Sequence, residues 1–222
     1  MKRALVIGAS RGIGLEFVRQ WRDDGWAVTA TARNAEGLAR LEALGARAFR
    51  LDVAGAAGAA TLAGAIAGEA YDAVVLNAGV FGSRTAGLQA PTQEEFDAVM
   101  HTNVLGAMRL LPQVADTLAP GARLAVISSR MGSIGLREGS SGWLYRASKA
   151  ALNSVLKDAS LVLAGKAICV AFHPGWVRTD MGGSGADIEV HESVAGMRST
   201  LAGLTPADNG GFFNFDGAPL AW

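Results

Sequence analysis

The chain has 222 residues, enough for about one to one and a half typical domains and for a full hydrophobic core. Twenty Lys and Arg residues balance twenty Asp and Glu residues, so the formal net charge is zero. This balance argues against general nucleic-acid binding, which needs a basic surface. Hydrophobic residues make up 50% and charged residues 18% of the chain, which excludes intrinsic disorder.

The sequence carries no sign of export or of membrane insertion. The apolar start at residues 4–7 is too short for a signal peptide, and no stretch approaches the roughly 18 apolar residues of a membrane span. The single cysteine, Cys169, allows no internal disulfide and lies in an apolar run, so we expect it to be buried in a strand. These features predict a cytoplasmic location.

Short apolar runs alternate with segments of helical spacing along the chain. We predict strands at residues 4–7, 27–32, 46–51, 73–76, 123–128, 166–173 and 211–215. We predict helices at residues 13–21, 34–44, 54–68, 92–118, 143–164 and 189–201, the fourth opening with a capping box. This alternation predicts an α/β fold: one domain over residues 1–222, with a doubly wound parallel sheet of about seven strands and helices on both faces.

A glycine cluster follows the first predicted strand and opens the first helix. Gly8 allows a tight turn, Gly12 removes a Cβ where a pyrophosphate would approach, and Gly14 permits close packing of helix on sheet. Free N–H groups at the start of the helix would face the anion. The cluster therefore predicts a nucleotide-phosphate site, whose other members are Ser10, Arg11 and Ile13.

The end of the second strand bears on which dinucleotide is bound. An acidic residue there would bind the 2′-hydroxyl of NAD, but this strand ends in Ala32 and Arg33. Arg33, together with Arg11 of the glycine cluster, can instead bind a 2′-phosphate. Either arginine alone could be a solvated surface charge, whereas the pair without an acid predicts NADP(H) in preference to NAD(H).

Two further strand ends carry residues suited to the adenosine half of a dinucleotide. Asp52, followed by Val53, can accept a hydrogen bond from the adenine amino group, and the alternative role is a helix cap or turn. Asn77, Ala78 and Gly79 end the fourth strand. Their small size leaves room for a ribose, and the asparagine can tie neighbouring strands together. The alternative role of these three residues is a simple turn.

Tyr145 and Lys149 lie four residues apart at the start of a predicted helix and therefore share one face. A tyrosine with the ordinary pKa of about 10 is a poor base at neutral pH. A nearby ammonium group favours the phenolate and lowers that pKa, so Tyr145 could exchange a proton with a carbonyl or alcohol oxygen. The spacing is common by chance, but here it accompanies the glycine cluster and follows a fifth strand.

Together, the Gly-x-x-x-Gly-x-Gly cluster, the Asn-Ala-Gly strand end and the Tyr-x-x-x-Lys pair resemble the short-chain dehydrogenase/reductase family over nearly the whole chain. Residues 129–149 and the tail at 215–222 look like the small C-factor-like and Sniffer-like carbonyl reductases. The resemblance implies a Rossmann-type fold and an oxidoreductase that transfers a hydride between a nicotinamide and a carbonyl or secondary alcohol. Tyr145 would be the acid/base, and Lys149 would tune its pKa and anchor the ribose.

The position of the family's catalytic serine needs an assignment, because the spacing here departs from the family pattern. Ser129 lies three residues further from Tyr145 than the family's serine does, and a glycine occupies the usual place. We attribute this to a three-residue insertion within residues 133–143, since Ser129 keeps its place at the end of a strand. Ser129 would hydrogen-bond the substrate oxygen, with Ser128 and Ser133 as alternatives.

The resemblance also implies a proton relay and a nicotinamide contact. Asn103 matches the family's helix-interior asparagine, whose amide could hold a water that passes protons to Lys149; the alternative is a polar core residue. The segment after the sixth strand matches the family's Pro-Gly-x-Val-x-Thr stretch, which would contact the nicotinamide carboxamide. Its contact residues would be Pro174, Gly175, Val177 and Thr179.

Residues 180–188 are where the chain is shorter than many members of the family. They are rich in glycine, so we expect a small and mobile cover over an open pocket. The candidate pocket walls favour an apolar or aromatic ketone or aldehyde. These walls are Met131, Ile134, Leu136, Trp143, Trp176 and Met181.

Two functions are compatible with these residues. The first is an NADP(H)-dependent carbonyl reductase or alcohol dehydrogenase with a small-molecule substrate, and the second is a cofactor-binding signalling or scaffold protein that acts through a partner. A complete catalytic set favours the enzyme. The resemblance implies a homodimer or homotetramer through the apolar faces at 100–111 and 152–163, although core packing explains those faces equally well. The three histidines have no partners at ligand spacing, so no metal is expected.

Overall fold

The computed structural model describes residues 1–222, which form one seven-stranded parallel sheet flanked by seven α-helices. The strands are β1 (Arg3–Ile7), β2 (Ala27–Ala32), β3 (Arg47–Arg50), β4 (Tyr71–Leu76), β5 (Leu118–Ile127), β6 (Ala167–His173) and β7 (Gly211–Asn214). The helices are α1 (Gly12–Asp23), α2 (Ala35–Ala43), α3 (Gly58–Ile66), α4 (Gln93–Met100), α5 (Gly106–Ala115), α6 (Trp143–Val162) and α7 (Val190–Gly203). The predicted doubly wound fold is confirmed.

The sheet is buried on both faces, which explains the near-continuous aliphatic sequences of its inner strands. Helices α1, α2 and α7 pack on one face through a core that includes Phe17, Leu41 and Met197. Helices α3, α5 and α6 pack on the other face through a core that includes Leu62 and Leu110. Cys169 lies fully buried in β6, as predicted.

The strand order β3-β2-β1-β4-β5-β6-β7 reverses direction between β1 and β4. In open α/β sheets, the crevice beyond the carboxyl ends of the strands at such a reversal is the usual ligand site. The fold therefore brings the glycine cluster after β1 and the Asn-Ala-Gly sequence after β4 to opposite sides of one crevice.

The predicted helix at 92–118 is wrong in two respects. It is interrupted by a π-helical turn at His101–Leu105, and it ends at Ala115 rather than at Leu118. Leu118 instead begins β5 and pairs with Tyr71 at the start of β4, before a shift in the register of the ladder. The predicted capping box is present, because Thr92 and Glu95 exchange side-chain-to-backbone hydrogen bonds.

None of the helices combines the length and the apolar character that crossing a lipid bilayer requires.

Candidate active site

Most of the predicted site residues meet at one cavity of about 390 Å³ beyond the carboxyl ends of the strands. Those that line it are Gly8, Ser10, Arg11, Gly12, Ile13, Arg33, Val53, Asn77, Ala78, Gly79, Tyr145, Lys149, Pro174 and Thr179. The sequence did not single out other lining residues, among them Leu51, Val80, Thr102, Arg178 and Asp180. The predicted residues outside the lining are Gly14, Asp52, Asn103, Ser129, Gly175 and Val177.

The glycine cluster forms a cradle from which side chains are excluded. Gly8 has φ of +86°, and a Cβ there would lie 2.7 Å from backbone atoms of Ala78 across the crevice. Gly12 has φ of +53°, and its Cβ would lie 3.2 Å from a methyl carbon of Thr179. Only glycine leaves this space open at the start of α1, where backbone N–H groups can receive a phosphate. The cradle therefore fits a dinucleotide pyrophosphate.

Both predicted phosphate-binding arginines lie exposed at the cavity wall. Arg11 forms an ion pair with Asp180, with 2.8 Å between Nη1 and Oδ2, across the mouth of the crevice. Arg33 directly follows β2 and lines the same cavity. A third arginine, Arg40 on α2, was not recognised from the sequence; it donates to the backbone carbonyl of Ser10 at 3.2 Å and forms an ion pair with Glu36. Arg11 and Arg33, which both line the cavity, make this end of it suited to an added phosphate.

Asn77 and Asp52 differ in how their side chains are used. The Asn77 amide nitrogen donates to the Gly8 carbonyl at 2.6 Å, which ties β4 to the turn after β1 as predicted. The Asp52 carboxylate accepts from the backbone N–H of Ala54 at 3.1 Å, the turn role that was the alternative to adenine binding. A contact between Asp52 and adenine stays a prediction.

Three neighbouring serines differ in what their hydroxyl groups contact. Ser128 donates to Oδ1 of Asn153 at 2.5 Å, and Ser133 is fully buried and donates to the carbonyl of Trp222 at 3.2 Å. Ser129 accepts from the N–H of the short helical turn that follows it, and its hydroxyl also reaches the phenol of Tyr145. Ser129 is thus the serine that reaches the Tyr145 phenol, whereas Ser128 is the one that lines the cavity, so the choice of Ser129 stays a prediction.

Tyr145 lies near the N-terminus of α6, and only 7% of its surface is exposed. Burial raises the pKa of Tyr145 to about 12, although its hydrogen bond with Ser129 acts in the opposite direction. We expected Lys149 to lower this pKa. In the structure burial outweighs every other influence, so the phenol is protonated at neutral pH.

Lys149 lies on the same face of α6, and its Nζ is 5.7 Å from the centre of the Tyr145 ring. The ammonium group donates to the carbonyl of Ile127 at 2.8 Å, and burial lowers the pKa of Lys149 to about 8. Lys149 therefore carries a positive charge at neutral pH and loses it in mildly alkaline solution. This cation is the group available to stabilise a phenolate after Tyr145 has released its proton.

Asn103 lies in the π-turn between α4 and α5, a feature that recurs at functional sites. Its Oδ1 accepts from the N–H of Val80 at 2.8 Å, and its Nδ2 donates to the Val80 carbonyl and to Ser148 Oγ. The amide thus fixes the segment after β4, and the part of Asn103 in a proton relay stays a prediction. A Cβ on Gly79 would lie 3.2 Å from Lys149 Nζ, so this glycine leaves room for the ammonium group at the cavity wall.

Residues 179–188, which we call the cover segment, turn back on themselves beside the cavity. The N–H groups of Gly182 and Gly183 bond to Thr179, and the N–H of Ile188 bonds to the carbonyl of Trp176. These bonds form a turn beside the cavity, and the mobility of the segment stays a prediction. Met181 lines the cavity, and Trp176 beside it is 53% exposed.

Phe81 was not recognised from the sequence, and it packs directly on the predicted catalytic tyrosine. The rings of Phe81 and Tyr145 stack with centres 4.4 Å apart. The only sequence signal is an aromatic residue shortly after the Asn-Ala-Gly strand end. No group of three His, Cys, Asp or Glu side chains lies together in a way that could hold a metal ion.

A doubly wound sheet with a glycine cradle at the reversal of strand order, beside a buried Ser-Tyr-Lys set, defines a dinucleotide-dependent oxidoreductase. The chain belongs to the short-chain dehydrogenase family, whose pattern matches residues 2–188.

Several relatives agree with this assignment. The C-signal protein of Myxococcus xanthus is 36% identical over 154 residues, which cover 68% of this chain and 92% of that protein. A short-chain dehydrogenase/reductase from Burkholderia multivorans, solved with bound NADP, has a TM-score of 0.90 at 30% identity and covers 100% and 99% of the two chains. The carbonyl reductase Sniffer of D. melanogaster has a TM-score of 0.87 at 31% identity, with both chains covered completely.

Proposed function

We propose that this enzyme uses NADPH to reduce an apolar or aromatic ketone or aldehyde to the alcohol. The observation that carries the proposal is the placement of Tyr145 and Lys149 in the wall of the same cavity as the glycine cradle, with Ser129 in contact with the tyrosine. The NADP-bound relative from Burkholderia and the Sniffer carbonyl reductase support both the cofactor and the reaction.

The cofactor would be held along the length of the crevice. Its pyrophosphate would lie on the glycine cradle, and its 2′-phosphate between Arg11 and Arg33. Lys149 would bind the nicotinamide ribose, and the segment ending at Thr179 would meet the carboxamide. Bound NADPH would supply the hydride from its nicotinamide ring.

The protein's own residues would supply the proton and hold the carbonyl oxygen. With a pKa of about 12, Tyr145 is protonated at neutral pH and suits the role of acid in the direction of reduction. Ser129 would donate a second hydrogen bond to the carbonyl oxygen and orient it. As Tyr145 gives up its proton, the nearby Lys149 cation would stabilise the phenolate.

The surroundings of Tyr145 favour an apolar substrate. Phe81 stacks on its ring, and the methyl group of Met131 lies near Phe81 beside Gly142. Met181 faces the cavity from the cover segment. These carbon and sulfur atoms beside Tyr145 would bind an apolar group of the substrate by excluding water.

The alternative function, a cofactor-binding signalling protein, takes support from the similarity to the C-signal protein of Myxococcus xanthus. The retained catalytic groups favour the enzyme, because a pure binding module has no need for a buried lysine beside a buried tyrosine. A cytoplasmic location and assembly into homodimers or homotetramers stay predictions.

The test is to mix the purified protein with NADPH and a panel of aryl ketones, aryl aldehydes and sugar aldehydes, and to follow the loss of NADPH. We expect turnover of the aryl compounds and little of the sugars. A parallel fluorescence titration should give a Kd for NADPH at least about tenfold below that for NADH, because two guanidinium groups meet the 2′-phosphate. Binding without turnover of any carbonyl would refute the reductase and favour the signalling alternative.

A further inference from the structure

Residues 80–85, which we call the bridge segment, connect the catalytic tyrosine to the cover segment. Phe81 stacks on Tyr145 with ring centres 4.4 Å apart. The guanidinium carbon of Arg84 lies 4.9 Å from the centre of the Phe81 ring, a cation–π contact. Nη2 of Arg84 also donates to the backbone carbonyl of Met181 at 3.1 Å. A continuous series of contacts thus runs from Tyr145 to the cover segment.

Both ends of the bridge segment are fixed to helices of the site. At one end, the backbone N–H and carbonyl of Val80 each form a hydrogen bond of 2.8 Å with the side-chain amide of Asn103 in the π-turn. At the other end, the carbonyl of Thr85 accepts from the N–H of Gly142, which caps α6, at 3.0 Å. The segment is therefore held between the helix that carries Asn103 and the helix that carries Tyr145.

The contact between Arg84 and Met181 joins the bridge segment to the cover segment. Arg84 is exposed, so solvent competes for its hydrogen bond, but its guanidinium group makes two contacts at once. A planar guanidinium suits this arrangement, because its flat face can lie on a ring while an edge N–H reaches a carbonyl. Met181 lines the cavity next to the site of reaction. Arg84 therefore contacts the part of the cover segment that lines the cavity.

We propose that Arg84 is a positioning residue that, through Phe81, holds the cover segment in register with the catalytic Tyr145. The kinetic part of this inference rests on the proposed carbonyl-reductase function, whereas its structural part does not. Arg84 touches none of the reacting atoms, and it acts by fixing Met181 relative to the tyrosine.

The test compares wild type with Arg84→Met. Methionine keeps an unbranched side chain at this position but lacks the positive charge and the N–H donors of arginine. Hydrogen–deuterium exchange should become about tenfold faster in peptides that cover residues 176–188. The kcat/KM for an aryl ketone should fall about tenfold, which corresponds to about 1.4 kcal/mol. The Kd for NADPH should change by less than about threefold, because Arg84 contacts no residue of the glycine cradle.

Three companion variants separate positioning from a general loss of structure. Arg84→Lys keeps a cation that can lie over Phe81 and should restore part of kcat/KM. Phe81→Leu should slow turnover, and adding Arg84→Met to it should cost little more, because both changes break the same series of contacts. Arg19→Met, which removes an exposed arginine whose only ion pair is with Glu16, should leave exchange and kinetics unchanged.

The exchange experiment decides the proposal without any turnover. Faster exchange confined to residues 176–188, with an unchanged Tm, would support it even if the wild type reduced no carbonyl and the proposed function failed. Unchanged exchange in Arg84→Met would overturn it. So would a double variant whose loss of kcat/KM, as a free energy, equals the sum of the losses of the two single variants.

Discussion

Replacing the buried Lys149 with methionine should abolish turnover and yet leave the folded protein at least as stable at neutral pH. Burial lowers the pKa of Lys149 from the ordinary 10.5 to about 8, so the folded state disfavours the charged form. At 1.36 kcal/mol per pH unit, this difference corresponds to about 3 kcal/mol. The cost is fully present below pH 8, declines as pH rises, and is absent above pH 10.5, where the lysine is neutral in both states.

Lys149→Met removes this cost and leaves the carbonyl of Ile127 without its 2.8 Å donor. An unsatisfied buried carbonyl costs about 1–3 kcal/mol. The variant should therefore be more stable than wild type by about 0–2 kcal/mol at pH 7. Between pH 7 and pH 10 the free energy of unfolding of the variant relative to wild type should fall by about 2–3 kcal/mol, because wild type gains stability as its lysine loses the charge.

The assay is urea unfolding of both proteins at pH 7 and pH 10, followed by circular dichroism. Effects of other titrating groups cancel in the difference between the two proteins. Lys157→Met, at an exposed position on the same helix, controls for the loss of a lysine from α6. If the difference in free energy of unfolding between Lys149→Met and wild type is the same at both pH values, the reasoning is refuted. Burial would then not lower the pKa of Lys149.

Three further predictions concern named side chains. Tyr145→Phe should lower kcat by at least about 100-fold through loss of the proton donor, while the Kd for NADPH measured by fluorescence stays within about threefold of wild type. Ser129→Ala should lower kcat about 10- to 100-fold, whereas Ser128→Ala should lower the free energy of unfolding by about 1 kcal/mol and spare kcat, a contrast that steady-state kinetics and urea unfolding would measure. Gly14→Ala should destabilise the protein by about 1–3 kcal/mol in urea unfolding, since its methyl group would overlap the carbonyl oxygen of Gly8.

Sequence periodicity was sufficient to predict the sheet, because each strand buried on both faces is an aliphatic run that ends in a turn residue. Periodicity failed at residues 101–105. A π-turn bonds residue i to residue i+5 where an α-helix bonds i to i+4, a change that hydrophobic spacing does not reveal. In the structure this turn carries Asn103, whose side chain contacts Val80, far away in the sequence. The early start of β5 at Leu118 likewise depends on pairing with Tyr71, which is distant in the sequence.

The residues of the candidate site were predictable where a motif fixes them by spacing, as for Tyr145 and Lys149. Sequence position favoured Ser129, at the end of a strand, and left Ser128 and Ser133 as alternatives, because spacing does not show what each hydroxyl group contacts. Phe81 and Arg84 were missed because stacking and cation–π contacts follow no period. The raised pKa of Tyr145 was also missed, because burial can be measured only in the folded chain.

In the proposed reaction, this chain directs a hydride from NADPH to a carbonyl carbon while Tyr145 supplies the proton. The most direct measurement uses NADPH labelled with deuterium at the transferred position of the nicotinamide, an aryl ketone, and mass spectrometry of the product. We predict an alcohol with one deuterium on the carbinol carbon from the wild type and none detectable from Tyr145→Phe. An unlabelled alcohol, or equal deuterium transfer by the two proteins, would contradict the account.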